Sequence, residues 1–247
     1  MAIPLFSFTG HSALPAQEAS FDGVFLADKP HGWTSHDLVA VLRKKIGFTK
    51  IGHTGTLDPG ATGLLVMLIG KAAKKQSELQ GCSKIYSGTI KFGIETDTWD
   101  AQGKVVSESA VPGITEQEVK SLAERFNGRI KQQVPPFSAV KYQGKRLYKL
   151  ARKGVAVPVI ERVVDVKWIQ YLWNSPELKF EIECSGGTYI RSIAHEMGKA
   201  VGCGAHLKDL RRLKVKNWLV EQAFPGDSIK TADIREIISR IIPYDRQ

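Results

Sequence analysis

Six apolar side chains in a row, Leu64-Leu65-Val66-Met67-Leu68-Ile69, stand between Gly63 and Gly70. A strand turns successive side chains to opposite faces, so an unbroken apolar run needs cover on both. The run is far short of the roughly 20 residues that cross a bilayer. It therefore reads as a buried strand inside a sheet, and the rest of the chain must supply two covering layers. With 247 residues and 43% apolar side chains there is enough material for that core. The same figure excludes a disordered chain.

The remaining pattern mixes strands and helices without a regular alternation. Val24 to Ala27 predicts a short strand, closed by the turn-rich Asp28-Lys29-Pro30-His31-Gly32. Thr34 and Asp37 form a capping box ahead of Leu38, Val39, Val41, Leu42 and Ile46, and Gly47 ends that helix. A basic helix is expected from Lys71 to about Leu79, and a strand from Lys84 to Phe92. Residues 95–103 read as a polar loop. Thr115 and Glu118 form a second capping box, with Val119, Leu122, Ala123 and Phe126 on one helical face. Pro135-Pro136 forces an extended segment, and 144–153 predicts a short basic helix. Val159 to Trp173 and Leu178 to Cys184 read as paired strands. Gly186-Gly187-Thr188 introduces a helix that turns Ile190, Ile193, Ala194 and Met197 inward. One or two strands are expected over 205–220 and a last helix over 231–241. An α+β fold follows, a mixed and largely antiparallel central sheet flanked by helices.

Lys and Arg number 35 against 25 Asp and Glu, a net charge of +10 that favours a polyanionic partner. Three scattered cysteines, Cys82, Cys184 and Cys203, do not make a disulfide framework and suit a reducing compartment. Residues 1–20 lack the pattern of a secretory signal or transit peptide, so a cytoplasmic protein with no membrane segment is expected. No CxxC pair occurs, and Lys199 stands where the HExxH string begun by His195-Glu196 needs its second histidine, so no metal is expected.

The loop ahead of the apolar strand is the most unusual segment. Lys50 to Gly63 holds Gly52, Gly55, Gly60 and Gly63 with one His, one Asp and three Thr. Gly55 and Gly60 have the spacing of a phosphate-binding P-loop, but Ala61 stands where its lysine is required, so that reading fails. Asp58-Pro59-Gly60 is good turn chemistry. A carboxylate at the mouth of a buried strand is also placed where desolvation can tune its reactivity.

The segment Gly52-His53-Thr54-Gly55-Thr56-Leu57-Asp58-Pro59-Gly60-Ala61-Thr62-Gly63 closely resembles the catalytic motif of TruB-type tRNA pseudouridine synthases. Further blocks match in the same order. They are Asp28-Lys29-Pro30 with Gly32 and Thr34 to Asp37, then Lys84-Ile85-Tyr86, then Thr96-Asp97-Thr98-Trp99-Asp100 with Gly103. Val134-Pro135-Pro136 with Ser138, Ala139, Lys141 and Gly144 to Tyr148 follows. Cys184 to Ser192, which contains Arg191, and Gly202 to Leu213 complete the set. The resemblance spans about residues 23–224 and implies the pseudouridine synthase fold. Residues 1–22 are then a flexible lead-in and 23–247 one catalytic domain. An inserted basic lobe is expected at about 130–160, and no separate C-terminal RNA-binding module. Relatives of this kind isomerise uridine 55 in the T-loop of tRNA. That reaction breaks the N1–C1′ bond, turns the uracil and rejoins it through C5, with no cofactor.

By this resemblance Asp58 is the catalytic nucleophile, Arg191 the cation that keeps it ionised, and Tyr86 the platform for a flipped base. Attack of Asp58 at C1′, attack at C6, and general-base action all remain open. His53 has two readings, filling the gap left by the flipped nucleotide or hydrogen-bonding the loop backbone. Asp97 and Asp100 either pair active-site residues or form a solvated acidic loop. Residues 141–153 carry Lys141, Lys145, Arg146, Lys149, Arg152 and Lys153 with no acid, interleaved with Tyr142 and Tyr148. Residues 208–216 add Arg211 and Arg212 within a local charge of +4, and four more positives lie in 43–50. Lys29, His53, Lys141, Lys145, Arg146, Lys149, Arg152, Arg211 and Arg212 are the expected RNA contacts. The expected partner is the T-arm of tRNA, bound by a monomer without an obligatory protein partner. Two alternatives stand beside this, a guide-RNA-dependent synthase acting on rRNA and a tRNA-folding protein without catalysis.

Overall fold

The computed structural model describes residues 22–48 and 50–244. The lead-in expected over 1–22 therefore lies almost wholly outside the described residues. In chain order the elements are β1 (Gly23–Lys29), α1 (Ser35–Ile46), β2 (Ile51–His53), β3 (Thr62–Ile69), α2 (Gln76–Gly81) and β4 (Lys84–Phe92). There follow β5 (Ile94–Thr96), β6 (Val105–Glu108), α3 (Glu116–Arg125), β7 (Gly128–Gln133), β8 (Lys141–Tyr142), β9 (Lys145–Arg146) and α4 (Leu147–Ala151). The chain continues through β10 (Glu161–Asn174), β11 (Glu177–Cys184), α5 (Ile190–Val201), β12 (Ala205–Val215), β13 (Trp218–Leu219), β14 (Phe224–Pro225), α6 (Ile234–Ser239) and β15 (Ile242–Pro243).

One large sheet runs β14-β1-β3-β12-β4-β11-β10-β7, with β2, β13 and β15 attached to β3, β12 and β1. Its pairs are antiparallel except β1 with β14 and β3 with β12. The mixed, mostly antiparallel α+β architecture agrees with the sequence reading. The apolar run forms β3 and is covered on both faces as its composition requires. Leu65, Met67 and Ile69 pack with Leu38, Val39 and Leu42 of α1 and Ile237 of α6. Leu64, Val66 and Leu68 pack with Leu79, Val215 and Trp218 on the opposite face. Each such buried side chain contributes about 1.5–3 kcal/mol. A third cluster joins Tyr86, Ile90 and Phe92 of β4 to Phe180 and Ile182 of β11 and to Ile193 and Met197 of α5.

Both capping boxes form. The Thr34 hydroxyl accepts from the Asp37 amide while the Asp37 carboxylate receives the Thr34 amide, and Gly47 closes α1 in the left-handed conformation. Thr115 and Glu118 repeat the arrangement at α3.

Several boundaries differ from the sequence reading for local reasons. The basic helix expected over 71–79 begins as a 3₁₀ turn over Gly70–Lys75, because no side chain caps its start, and only Gln76–Gly81 is α-helical. The last helix shrinks to α6, since Asp233 caps it at Arg235 and Ile242 leaves it to pair with Val24 of β1. The polar loop over 95–103 is flanked by a hairpin, β5 with β6. The basic helix expected over 144–153 is confined to α4, because its first residues form β9 and pair with β8. β7 was not legible because it is an edge strand of largely exposed polar residues, recognised only by its pairing with β10.

Two features place the functional loop. β12 pairs with β4 along its whole length, and on its other edge it meets β3 only at Thr62–Arg211 and Gly63–Arg212. At that close crossing a Cβ on Gly63 would stand 2.3 Å from the Arg212 carbonyl oxygen, and φ is +101°, so no other residue fits. The chain between β7 and β10 leaves the sheet edge and returns to it, where the Val134 amide donates to the Ile160 carbonyl at 2.8 Å. That excursion carries β8, β9 and α4. Among the described residues no helix is long and apolar enough to cross a membrane.

Candidate active site

Asp58 sits in the turn that links β2 to β3. Ala61 donates to its carbonyl at 3.0 Å, closing a tight Asp-Pro-Gly turn. Its side chain is 44% exposed, so the carboxylate looks out of the protein. Behind it lies Arg191, in the first turn of α5 and only 6% exposed. Arg191 Nε contacts Asp58 Oδ2 at 2.9 Å and Asp100 Oδ2 at 3.5 Å. Its two remaining nitrogens donate to the Thr98 carbonyl at 2.9 Å and the Phe137 carbonyl at 3.2 Å. One guanidinium thus ties α5 to three segments far apart in sequence, the Asp58 turn, the 98–100 turn and Phe137. The planar fork of arginine permits this and the point charge of lysine does not. Two carboxylates share the one guanidinium, with Asp58 the more accessible.

The turn after β5 supplies Asp100. The Thr98 hydroxyl donates to Asp100 Oδ1 at 2.7 Å, and the Gln102 amide to the same oxygen at 3.0 Å. Asp97 faces away and accepts from the Lys104 amide at 2.8 Å. Of the two acids considered together on sequence grounds, only Asp100 meets Arg191. Gly103 is required here, since a Cβ would lie 2.3 Å from Thr98 Oγ1. Trp99 between them has φ +64°, a left-handed conformation that costs a bulky residue about 1–3 kcal/mol.

Tyr86 lies on β4 with 7% exposure, in the core cluster beneath the loop. Burial raises the pKa of its phenol, and a hydrogen bond and charge from Arg212 act in the opposite direction. The phenol is therefore neutral at ordinary pH.

Arg212 and Lys29 are not on the surface where RNA contacts were expected. Arg212 is 1% exposed, and it donates from Nε to the Leu64 carbonyl at 2.6 Å and from Nη2 to the Gly55 carbonyl at 3.1 Å. Lys29 is fully buried, its ammonium shared among the carbonyls of Trp33 at 2.7 Å, Pro30 at 3.0 Å and Pro59 at 3.4 Å. Burial lowers its pKa to about 8, partly offset by the nearby Asp58. Both cations hold the backbone around Asp58. Lys29 ends an apolar strand and precedes a Pro-Gly turn, which is the local signal for such a role. Arg211 pairs with both oxygens of Asp28 at 3.0 and 2.7 Å and stays partly exposed.

His53 accepts from the Gly55 amide at 3.4 Å through Nδ1, so its loop-backbone reading is present. It is 9% exposed and meets His36 edge-on at 5.7 Å. Lys141, Lys145, Arg146, Lys149 and Arg152 are all exposed on the β8–β9–α4 excursion. Arg152 also lies 5.5 Å from the Tyr148 ring centre.

Burial lowers the pKa of both His53 and His195 to about 4, with His36 and Arg212 adding to the first and Lys199 to the second. Unfolding exposes rings that titrate near 6.5. Between these values the unfolded chain binds more protons, so stability falls as pH drops from about 6.5 to about 4 and levels off below. Urea midpoints between pH 7 and pH 4 are expected to decline accordingly. His53→Gln and His195→Gln should each flatten the decline.

Comparison with known proteins decides what this arrangement belongs to. Residues 43–190 match the family described as TruB family pseudouridylate synthase (N terminal domain). Residues 191–238 match the tRNA pseudouridylate synthase B C-terminal domain. The chain belongs to the TruB family of pseudouridylate synthases.

Among TruB relatives, the tRNA pseudouridine synthase B of Opitutus terrae is 44% identical over 223 residues, covering 90% of this chain and 92% of that protein. The one from Endomicrobium trichonymphae is 41% identical, covering 91% and 97%. Among solved structures, a Cbf5-Nop10-Gar1 complex aligns with TM-score 0.65 at 27% identity, covering 91% of this chain and 61% of that one. An H/ACA RNP bound to a substrate RNA containing 2′-deoxyuridine aligns with TM-score 0.60 at 26% identity, covering 85% and 52%. The two family regions meet at Arg191, yet β12 from the second pairs with β3 and β4 from the first in one sheet. The site is built from both.

Proposed function

We propose that this TruB protein isomerises uridine 55 in the T-loop of tRNA to pseudouridine, with Asp58 as nucleophile. The observation that carries this reading is the exposed Asp58 carboxylate held by a buried Arg191 that also binds Asp100. The ion pair aims Asp58 at the cleft, and Asp100 holds the guanidinium as well. The N1–C1′ bond breaks, the uracil turns, C5 bonds to C1′, and the C5 proton leaves to solvent while N1 gains one. Attack by Asp58 at C1′ or at C6, or removal of a proton by it, would each use this geometry. Tyr86 supplies the flat face beneath the flipped base. The names and 41–44% identity of the relatives support tRNA as substrate.

The β8–β9–α4 excursion closes on the T-arm, and Lys141, Lys145, Arg146, Lys149, Arg152 and Arg211 contact phosphates, with His53 at the space vacated by the base. The protein acts as a cytoplasmic monomer. The likeness to Cbf5 complexes gives the guide-dependent reading an observation of its own. Purified protein with unmodified tRNA transcript separates the two. Pseudouridine at position 55, abolished when that uridine is replaced by cytidine, is the expected result. No product from protein acting alone would overturn it.

A second measurement tests the lobe. Replacing Lys149 and Arg152 by Ala is expected to weaken tRNA binding and reduce the log–log salt slope by roughly 0.7–0.9 per lost phosphate contact. An unchanged slope would remove the lobe from the RNA surface.

A further inference from the structure

We infer that Trp99 and His195 form a brace that positions Asp100 and the Thr98 carbonyl against Arg191. This rests on the proposed catalytic role of the Asp58–Arg191 pair. The two rings stack with centroids 4.1 Å apart and planes 7° from parallel. Both are buried, Trp99 at 6% and His195 at 7% exposure. Their places in the chain give the stack its meaning. Trp99 lies between Thr98 and Asp100, the two residues of its turn that contact Arg191. His195 lies four residues after Arg191 on α5, on the same helical face. The turn and the helix therefore meet at three consecutive points, Thr98 and Asp100 on Arg191 and Trp99 on His195.

The backbone of Trp99 is bent to make this possible. At φ +64° a tryptophan is disfavoured, and glycine or asparagine would take the turn at less cost. Surrounding bonds hold the conformation. Trp99 N donates to the Thr96 carbonyl at 3.2 Å, the Thr96 hydroxyl to the Asp100 carbonyl at 2.7 Å, and Leu207 N to the Trp99 carbonyl at 3.0 Å. An indole placed where the backbone prefers glycine points to a use for the ring itself. His195 offers a flat face and no strong polar bond of its own. Its Nδ1 lies 3.2 Å from Glu95 Oε1, yet the alignment does not make a hydrogen bond. Burial and Lys199 disfavour its protonation, so the stack is between neutral rings at ordinary pH.

The brace acts through Asp100 and Arg191 and touches no substrate, so its removal should slow the chemical step without loosening tRNA. Trp99→Gly is the sharpest variant, because glycine accepts the left-handed turn while the whole side chain, ring included, is removed. Trp99→Gly and His195→Ala are each expected to lower kcat about 10- to 100-fold with tRNA Kd and KM within about twofold. His195→Phe, which restores a flat ring, should recover most of the loss. The double variant should be little worse than the worse single one, since both changes break one interaction. Unaltered protein and Asp58→Asn run alongside. If the unaltered protein makes no pseudouridine, the functional reading fails. If it is active and Asp58→Asn is not, three results would overturn the brace alone. These are kcat within twofold in both single variants, a loss equal in His195→Phe, and a fall in kcat matched by an equal loss of tRNA affinity.

Discussion

Asp58→Asn is expected to abolish pseudouridine formation, lowering kcat at least about 10,000-fold, the scale on which removal of a covalent nucleophile acts. The amide keeps the shape of the side chain and can still reach Arg191, so fold and tRNA binding should survive. What it loses is the negative charge. An uncharged amide cannot attack the sugar or the base, and its oxygen is a weaker acceptor for Arg191 than the carboxylate. Release of tritium from tRNA labelled at uridine C5 measures the reaction directly, because the C5 proton must leave as the new bond forms. Filter binding of the same tRNA measures the complex. Retained binding with no tritium release is the expected pair of results. Tritium release at the unaltered rate would exclude Asp58 as the nucleophile.

Arg191 carries the second large effect. Arg191→Lys keeps one positive charge but cannot span Asp58, Asp100, the Thr98 carbonyl and the Phe137 carbonyl at once. It is expected to lower kcat about 100- to 1,000-fold, as loss of a preorganised electrostatic contact does. Arg191→Met removes the charge as well and leaves two carboxylates facing each other. Its kcat should fall further, and stability by about 1–3 kcal/mol. That is less than for a wholly buried pair because Asp58 is open to solvent. Urea unfolding checks the second figure and tritium release the first. A lysine variant with unaltered kcat would mean that charge alone is enough and that the four-way arrangement has no catalytic part.

Much of the fold was legible because its signals are local. The apolar run of β3 announced cover on both faces, and the alternate packing of Leu64 and Leu65 on opposite clusters is that expectation realised. Thr34 with Asp37, and Thr115 with Glu118, marked helix starts because a cap closes within four residues. The 52–63 segment by itself read as turn chemistry, and it pointed to Asp58 as a nucleophile only through its resemblance to the TruB motif. Edge strand β7 and the β8–β9 hairpin escaped because their side chains are mostly exposed and polar, and only a distant partner makes them strands.

The charged residues show the limit most clearly. Sequence counted Lys29 and Arg212, like Lys149 and Arg152, among the RNA contacts. In the fold they are buried and bound to carbonyls around Asp58, whereas Lys149 and Arg152 are exposed. A charge count cannot separate these cases, because a cation is at home either in water or among acceptors brought to it by other segments. Asp97 and Asp100 were likewise equivalent on paper, and only the bend at Trp99 turns one of them to Arg191. The chain by itself determined the buried strand, the capped helices and the carboxylate at the mouth of the sheet, all written in residues within a few places of each other. The tertiary structure alone decided that Asp100 and the carbonyls of Thr98 and Phe137 share Arg191 with that carboxylate, and that Lys29 and Arg212 lie buried around it. Desolvation and pairing depend on neighbours in space, and β3, β12, α5 and the 96–103 turn become neighbours only when the sheet closes.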